Sequence, residues 1–307
     1  MGSRISLKNH INAVLSHLKR EEIEDSHVVA DSHIVADSHI VADSHVVSNS
    51  YVVEDSHVVE DPYVMAKPGN SKTSETFTSS STGVEFVLIL PGEFYMGSPS
   101  EEQGRSDSES PAHKVTIKNA FYMGKFQVTQ KQWKNIMGNS PSHFKGDTLP
   151  VEMVSWNDVQ EFVEKLNAAE NTDKYRSPSE AEWEYACRAG IQTRYSFGDD
   201  ESKLNEYAWY VKNSGRKTHP IGRKQPNSWG LYDMHGNVWE WVQDKWHENY
   251  KDSPSDGSAW EDGGGSLRVS RGGSWYCNAE SCRSAGRFGR EPDSHFANLG
   301  FRLLRDP

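Results

Sequence analysis

Between Gly190 and Pro307 the chain never sustains a helical apolar period, and glycine or proline cuts it into short pieces. Short strands bury little area each, so their core must come from large side chains. Trp183, Trp239, Trp241 and Trp275 are the candidates to fill it. The preceding stretch is more regular. Val84 to Leu90 alternates as a strand and runs into a turn at Pro91-Gly92. Val115 to Ile117 and Phe121 to Met123 are further strands. Thr129 to Met137 is a helix, with Trp133 and Met137 four apart. Ser155 to Ala169 is amphipathic, with Val159, Phe162, Val163 and Leu166 on one face. Ser179 and Glu182 form a capping box that opens a helix over Glu180 to Ala189, and Gly190 closes it. Residues 83–307 are therefore expected to form an α+β domain of short strands, two or three helices and loop-built surfaces.

The chain ahead of Gly83 differs in composition. Residues 1–24 read as an N-terminal helix, because Ile5, Leu7, Ile11, Val14, Leu15 and Leu18 recur near helical spacing. Residues 25–66 are a six-residue tandem repeat of the type DSHVVA. A period of six is a multiple of two, so an extended chain shows the same faces in every unit. The repeat is either a β assembly or a spacer of no fixed structure. Its histidines, His27, His33, His39, His45 and His57, are only a compositional signal for metal. Helix and repeat together are candidates for self-association. Residues 67–82, rich in Ser, Thr, Gly and Lys, read as a flexible linker.

The net charge of −11 argues against a nucleic-acid partner, which needs a basic face. No apolar run approaches the roughly eighteen residues of a membrane span, and no signal peptide is visible. Three cysteines do not make a disulfide scaffold. A cytoplasmic location is the expectation.

The motifs of residues 83–307 come in a recognisable order. Phe94-Tyr95-Met96-Gly97-Ser98 is followed by Phe121 to Gly124 and Val128-Thr129-Gln130. Then come Pro150 to Trp156, Tyr175 to Ala186, Gly230 to Trp241, Arg271 to Trp275 and finally Gly300-Phe301-Arg302. This series resembles the formylglycine-generating-enzyme, or sulfatase-modifying-factor, family over nearly all of Gly83 to Pro307. The resemblance implies a C-type-lectin-like fold. It says little about chemistry, because these aromatics and glycines serve core and turns.

The resemblance implies two metal sites. Calcium would be held in the loop matching Asp233, Gly236, Val238 and Glu240, whose carboxylates and carbonyls are hard oxygen ligands. The structural alternative is that Glu240 and Asn237 bond to loop backbone. Copper(I) in catalytic members lies between two cysteines spaced C-x4-C after a GGS motif. Cys277 and Cys282, following Ser274, have that spacing and suit a soft ion. That pattern implies oxidation of a substrate cysteine to formylglycine. Against it, Arg283-Ser284-Ala285-Gly286-Arg287 follows the second cysteine as in noncatalytic relatives, and the final cysteine is missing.

Gly272 to Leu303 also resembles the variable region of proteins diversified by retroelements, in which adenine-rich AAY codons are rewritten. Arg271 to Trp275, Cys282 to Ala285, Arg287, Glu291 to Asp293 and Leu299 to Arg302 look like framework. Between them lie Tyr276, Cys277, Asn278, Ser281, Gly286, Phe288, Gly289, Arg290, Ser294, His295, Phe296, Ala297 and Asn298. Every one of these is reachable from an AAY codon by changing adenines alone. Aromatic, Arg and small residues together are the composition of a recognition surface. The expected function is a non-catalytic display protein that binds a protein or glycan. The alternative is a copper-dependent formylglycine-generating oxidase using Cys277, Cys282 and Ser274.

Overall fold

The computed structural model describes residues 75–307. The N-terminal helix and hexapeptide repeat lie outside the described residues. The rest is mixed α+β, with three longer helices, one short one and three sheets.

The first sheet has the order β1-β2-β5-β11-β6 and is antiparallel throughout. Its strands are β1 (Thr76–Thr78), β2 (Glu85–Ile89), β5 (Phe121–Gly124), β11 (Leu304–Arg305) and β6 (Tyr175–Arg176). The C-terminal strand thus sits inside the sheet and ties the two ends of the domain together. A hairpin of β3 (Gly92–Met96) and β4 (His113–Ile117) stands apart. The third sheet has the order β10-β7-β8-β9, from β7 (Trp239–Lys245), β8 (Arg268–Arg271), β9 (Arg287–Arg290) and β10 (Leu299–Phe301). Here β10 runs parallel to β7.

Three helices begin alike. α1 (Gln130–Met137), α2 (Trp156–Glu170) and α3 (Glu180–Arg188) open with capping boxes Thr129/Gln132, Ser155/Asp158 and Ser179/Glu182. Each box satisfies backbone donors that a helix start leaves free, worth about 1 kcal/mol. Short α4 (Leu204–Tyr207) lies in the region expected to hold only strands and loops.

The tryptophans take the expected place with one exception. Trp183 and Trp241 are fully buried and Trp239 nearly so, but Trp275 is half-buried. Trp133 stacks on Phe162, with ring centroids 5.3 Å apart. α3 is unusual in being buried along its whole length despite carrying Glu180, Glu182, Glu184 and Arg188. A charge is removed from water only where it is paired. Each carboxylate is met by arginine: Glu182 by Arg176 at 2.7 Å, Glu180 by Arg287 at 2.7 Å, and Glu184 by Arg188 at 2.8 Å and by Arg271.

The linker expected over residues 67–82 ends earlier than Gly83. β1 pairs with β2, and Ser79 and Thr82 are buried. Glu170 at the end of α2 accepts from Ser79 Oγ at 2.6 Å, Ser81 N at 2.9 Å and Tyr175 Oη at 2.5 Å. Burial alone would raise that carboxyl, but Ser79, Tyr175 and Ser81 hold it down at about 2. Composition misled here because short polar side chains mark both loose spacers and hydrogen-bonded turns. Glu170→Ala is expected to cost about 1–3 kcal/mol, the scale of hydrogen bonds to a charged group. Limited proteolysis should then cut between residues 75 and 83 before the rest of the domain.

Candidate functional site

The segment from Arg271 to Arg302 crosses from the third sheet through loops and back. Its start carries left-handed backbone at Gly272 and Gly273, with φ of 93° and 74°. A Cβ on Gly273 would lie 2.6 Å from Cys282 Sγ. The arginines of this segment fall into two kinds. Arg271, Arg283, Arg287 and Arg302 point inward and are buried. Arg271 also donates to Ala285 O at 2.7 Å and Gly286 O at 2.6 Å. Arg283 bonds Glu109 at 2.5 and 2.8 Å and Glu102 at 2.5 Å. Arg302 grips Glu240 at 2.6 and 2.8 Å.

Arg290 is the other kind. It has no carboxylate partner among the described residues. Its Nε donates to Ser270 Oγ at 3.2 Å, and its guanidinium lies 4.8 Å from the Phe288 ring centroid and 5.1 Å from that of Phe296. Burial lowers its pKa.

The residues expected to recognise a ligand divide by exposure. Tyr276, Phe288 and Phe296 are exposed apolar side chains at 57%, 51% and 44%. Asn278 and His295 are exposed, and Cys277, Ser281, Ser294, Ala297 and Asn298 are half-buried. Tyr276 meets Trp275 edge-on, and Trp275 Nε1 donates to Ala297 O at 3.0 Å, which links the two loops. His295 is held by Asp158 at 2.8 Å.

Two positions do not belong to the open surface. Gly286 is buried, and a Cβ there would stand 2.9 Å from Ser281 O. A Cβ on Gly289 would strike the Trp246 ring at 2.7 Å. Both glycines are set by packing. Among the residues read as framework, Glu291 and Asp293 are exposed.

Ser274 is buried, and its Oγ lies 3.2 Å from Cys277 Sγ. Cys282 is fully buried in an apolar cluster with Tyr195, Leu204 and Ala279, against which Cys277 packs. Burial pushes the Cys282 thiol well above its usual range, with Cys277 adding to the rise. The two sulfur donors thus share one cluster and would suit Cu(I), whose binding would require the Cys282 thiol to give up its proton.

The oxygens expected around calcium also converge. The carbonyls of Asp233, Gly236 and Val238 and the carboxylate of Glu240 all approach Gln127 Nε2, at 3.3, 3.3, 3.0 and 2.9 Å. Asp233 enters by its carbonyl. Burial raises its own carboxyl to about 6, and Oδ2 accepts from Gly222 N at 2.8 Å.

Residues 71–307 match the family model described as sulfatase-modifying factor enzyme 1-like domain. The chain belongs to that family. It is 29% identical over 293 residues to the formylglycine-generating enzyme of Mus musculus, covering 72% of this chain and 75% of the relative. PvdO from Pseudomonas aeruginosa superposes with a TM-score of 0.71 and 33% identity, over 78% of this chain and all of PvdO. Treponema denticola variable protein 1 gives a TM-score of 0.68 and 30% identity, over 77% of this chain and all of that one. No helix among the described residues is long and apolar enough to cross a membrane.

Two residues of this family member escaped the sequence reading. Gln127 precedes the Val128-Thr129-Gln130 motif and carries no charge to mark it. His235 sits inside a motif read as structural. It is buried, lies 2.8 Å from Cys282 O through Nδ1, and accepts at Nε2 from Ser196 N at 3.1 Å. It therefore joins the 233–240 loop to the cysteine segment.

Burial lowers the His235 pKa to about 4 from 6.5. A depressed histidine favours the fold above its unfolded pKa, and that contribution is lost as pH falls through the folded value. The domain should lose about 3 kcal/mol between pH 6.5 and 4 from this group. His235→Asn should flatten that part of the urea-denaturation profile, whatever it does to stability at pH 7.5.

Proposed function

We propose that this domain is a non-catalytic ligand-binding module with a C-type-lectin-like frame, displaying a surface that a retroelement diversifies. The observation that carries the reading is the division of residues 271–302 by burial. The four framework arginines are buried in glutamate pairs, while Tyr276, Asn278, Phe288, His295 and Phe296 are exposed. Buried paired charges resist change, whereas exposed side chains tolerate it. Similarity to a variable protein of Treponema denticola supports the same reading. The target is a protein or glycan. Arg290, without a carboxylate partner among the described residues and rimmed by Phe288 and Phe296, suits a ligand with an acidic group beside an apolar one. The N-terminal helix and repeat would serve assembly or spacing.

Copper-dependent oxidation is a second reading, favoured by the shared cluster of Cys277 and Cys282. A direct assay separates the two. Protein supplied with Cu(I), oxygen and a Cys-x-Pro-x-Arg peptide is expected to leave the peptide mass unchanged. Turnover that Cys282→Ser abolishes would establish the oxidase instead. For the display reading, the coding locus is expected to hold a reverse transcriptase gene and a second copy of the 272–303 coding stretch differing only at adenines. Their absence would remove the diversification claim.

A further inference from the structure

The loop over residues 233–240 poses an electrostatic problem. Left-handed backbone at Asp233, Gly236 and Asn237, with φ of 55°, 82° and 63°, helps turn its carbonyls inward. Three carbonyl oxygens and a Glu240 oxygen then face one point, and oxygens so arranged repel unless something positive lies between them. The side-chain amide of Gln127, 1% exposed, reaches that point from the segment between β5 and α1. We infer that the Gln127 carboxamide does the work of a metal ion in this loop, so that the domain folds without one.

Three observations carry this. Nε2 is within 3.3 Å of all four oxygens, and its two protons serve the closest pair, Val238 O at 3.0 Å and Glu240 Oε1 at 2.9 Å. A calcium ion needs the space inside a shell of about 2.3–2.6 Å, which the amide nitrogen already occupies. The Glu240 charge is answered separately, by Arg302 at 2.6 and 2.8 Å and by Trp183 Nε1 at 2.7 Å. Arg302 therefore already neutralises the one carboxylate that faces the four-oxygen point. The orientation has one cost. Gln127 Oε1 is buried without a partner among the described residues. The reversed amide would aim that oxygen at the other four, an arrangement only a cation would hold together.

Metal content decides between the two orientations. Full-length protein, purified without chelator and measured by inductively coupled plasma mass spectrometry, is expected to carry substoichiometric calcium. Its melting temperature is expected to be the same in EDTA and in millimolar CaCl2. Gln127→Glu replaces the donor by a second carboxylate, so its melting temperature is expected to fall in EDTA and recover in CaCl2 as one equivalent binds. One equivalent of calcium in the parent protein, with a melting temperature that drops in EDTA, would overturn the inference. So would a folded Gln127→Glu variant indifferent to calcium. Should that variant not fold, the parent's calcium content and its response to EDTA still decide.

Discussion

The pairing of buried arginines with buried glutamates is the constraint on which the rest of this structure depends. Glu180 and Glu184 on α3 hold Arg287, Arg271 and Arg188, Glu109 and Glu102 hold Arg283, and Glu240 holds Arg302. Desolvating such pairs consumes most of their mutual attraction, so they are not a large net source of stability. Removing one partner is another matter, because it strands a charge in the interior at about 3–5 kcal/mol. The pairs thus act as rivets whose geometry admits few substitutes. A bidentate guanidinium fixes direction as well as distance.

Rivets are needed because residues 271–302 contain little regular structure. β8, β9 and β10 are three or four residues each, and the loops between them have few ladder bonds. Arg271 binds the carbonyls of Ala285 and Gly286, and Arg283 reaches across to the segment before β4. His235 adds a bond to Cys282 O from the loop that Gln127 organises. With the backbone held from beneath, the side chains above it have little structural duty. Arg290 illustrates the difference: it is the same residue type in the same segment, with no glutamate partner among the described residues.

Much of this was legible in the sequence. Helices announced themselves by apolar spacing and, for α3, by Ser179 and Glu182. The ordered motifs specified the family, and Tyr276, Phe288 and Phe296, expected on one open surface, are exposed. What escaped depended on long-range geometry. Nothing local assigns Glu109 to Arg283, 174 residues apart. Gly286 and Gly289 passed as changeable because a codon test cannot detect Ser281 O or the Trp246 ring overhead. Gln127 was silent because its role is created by four oxygens from a distant loop. β1 was hidden in a polar stretch whose order comes from Glu170.

The central claim is that scaffold and surface are energetically separate, and thermal denaturation tests it directly. One set consists of the single substitutions Tyr276→Ser, Asn278→Asp, Phe288→Ser, His295→Asn and Phe296→Tyr, each at an exposed position; the comparison carries only Arg283→Met. Each surface variant should melt within about 2 °C of the parent, since an exposed substitution changes stability by about 0.5 kcal/mol or less at roughly 2–4 °C per kcal/mol. Arg283→Met, which strands Glu109 and Glu102, should melt about 10 °C lower, given about 3–5 kcal/mol lost and roughly 2–4 °C per kcal/mol. A surface variant that melts as early as Arg283→Met would contradict the account.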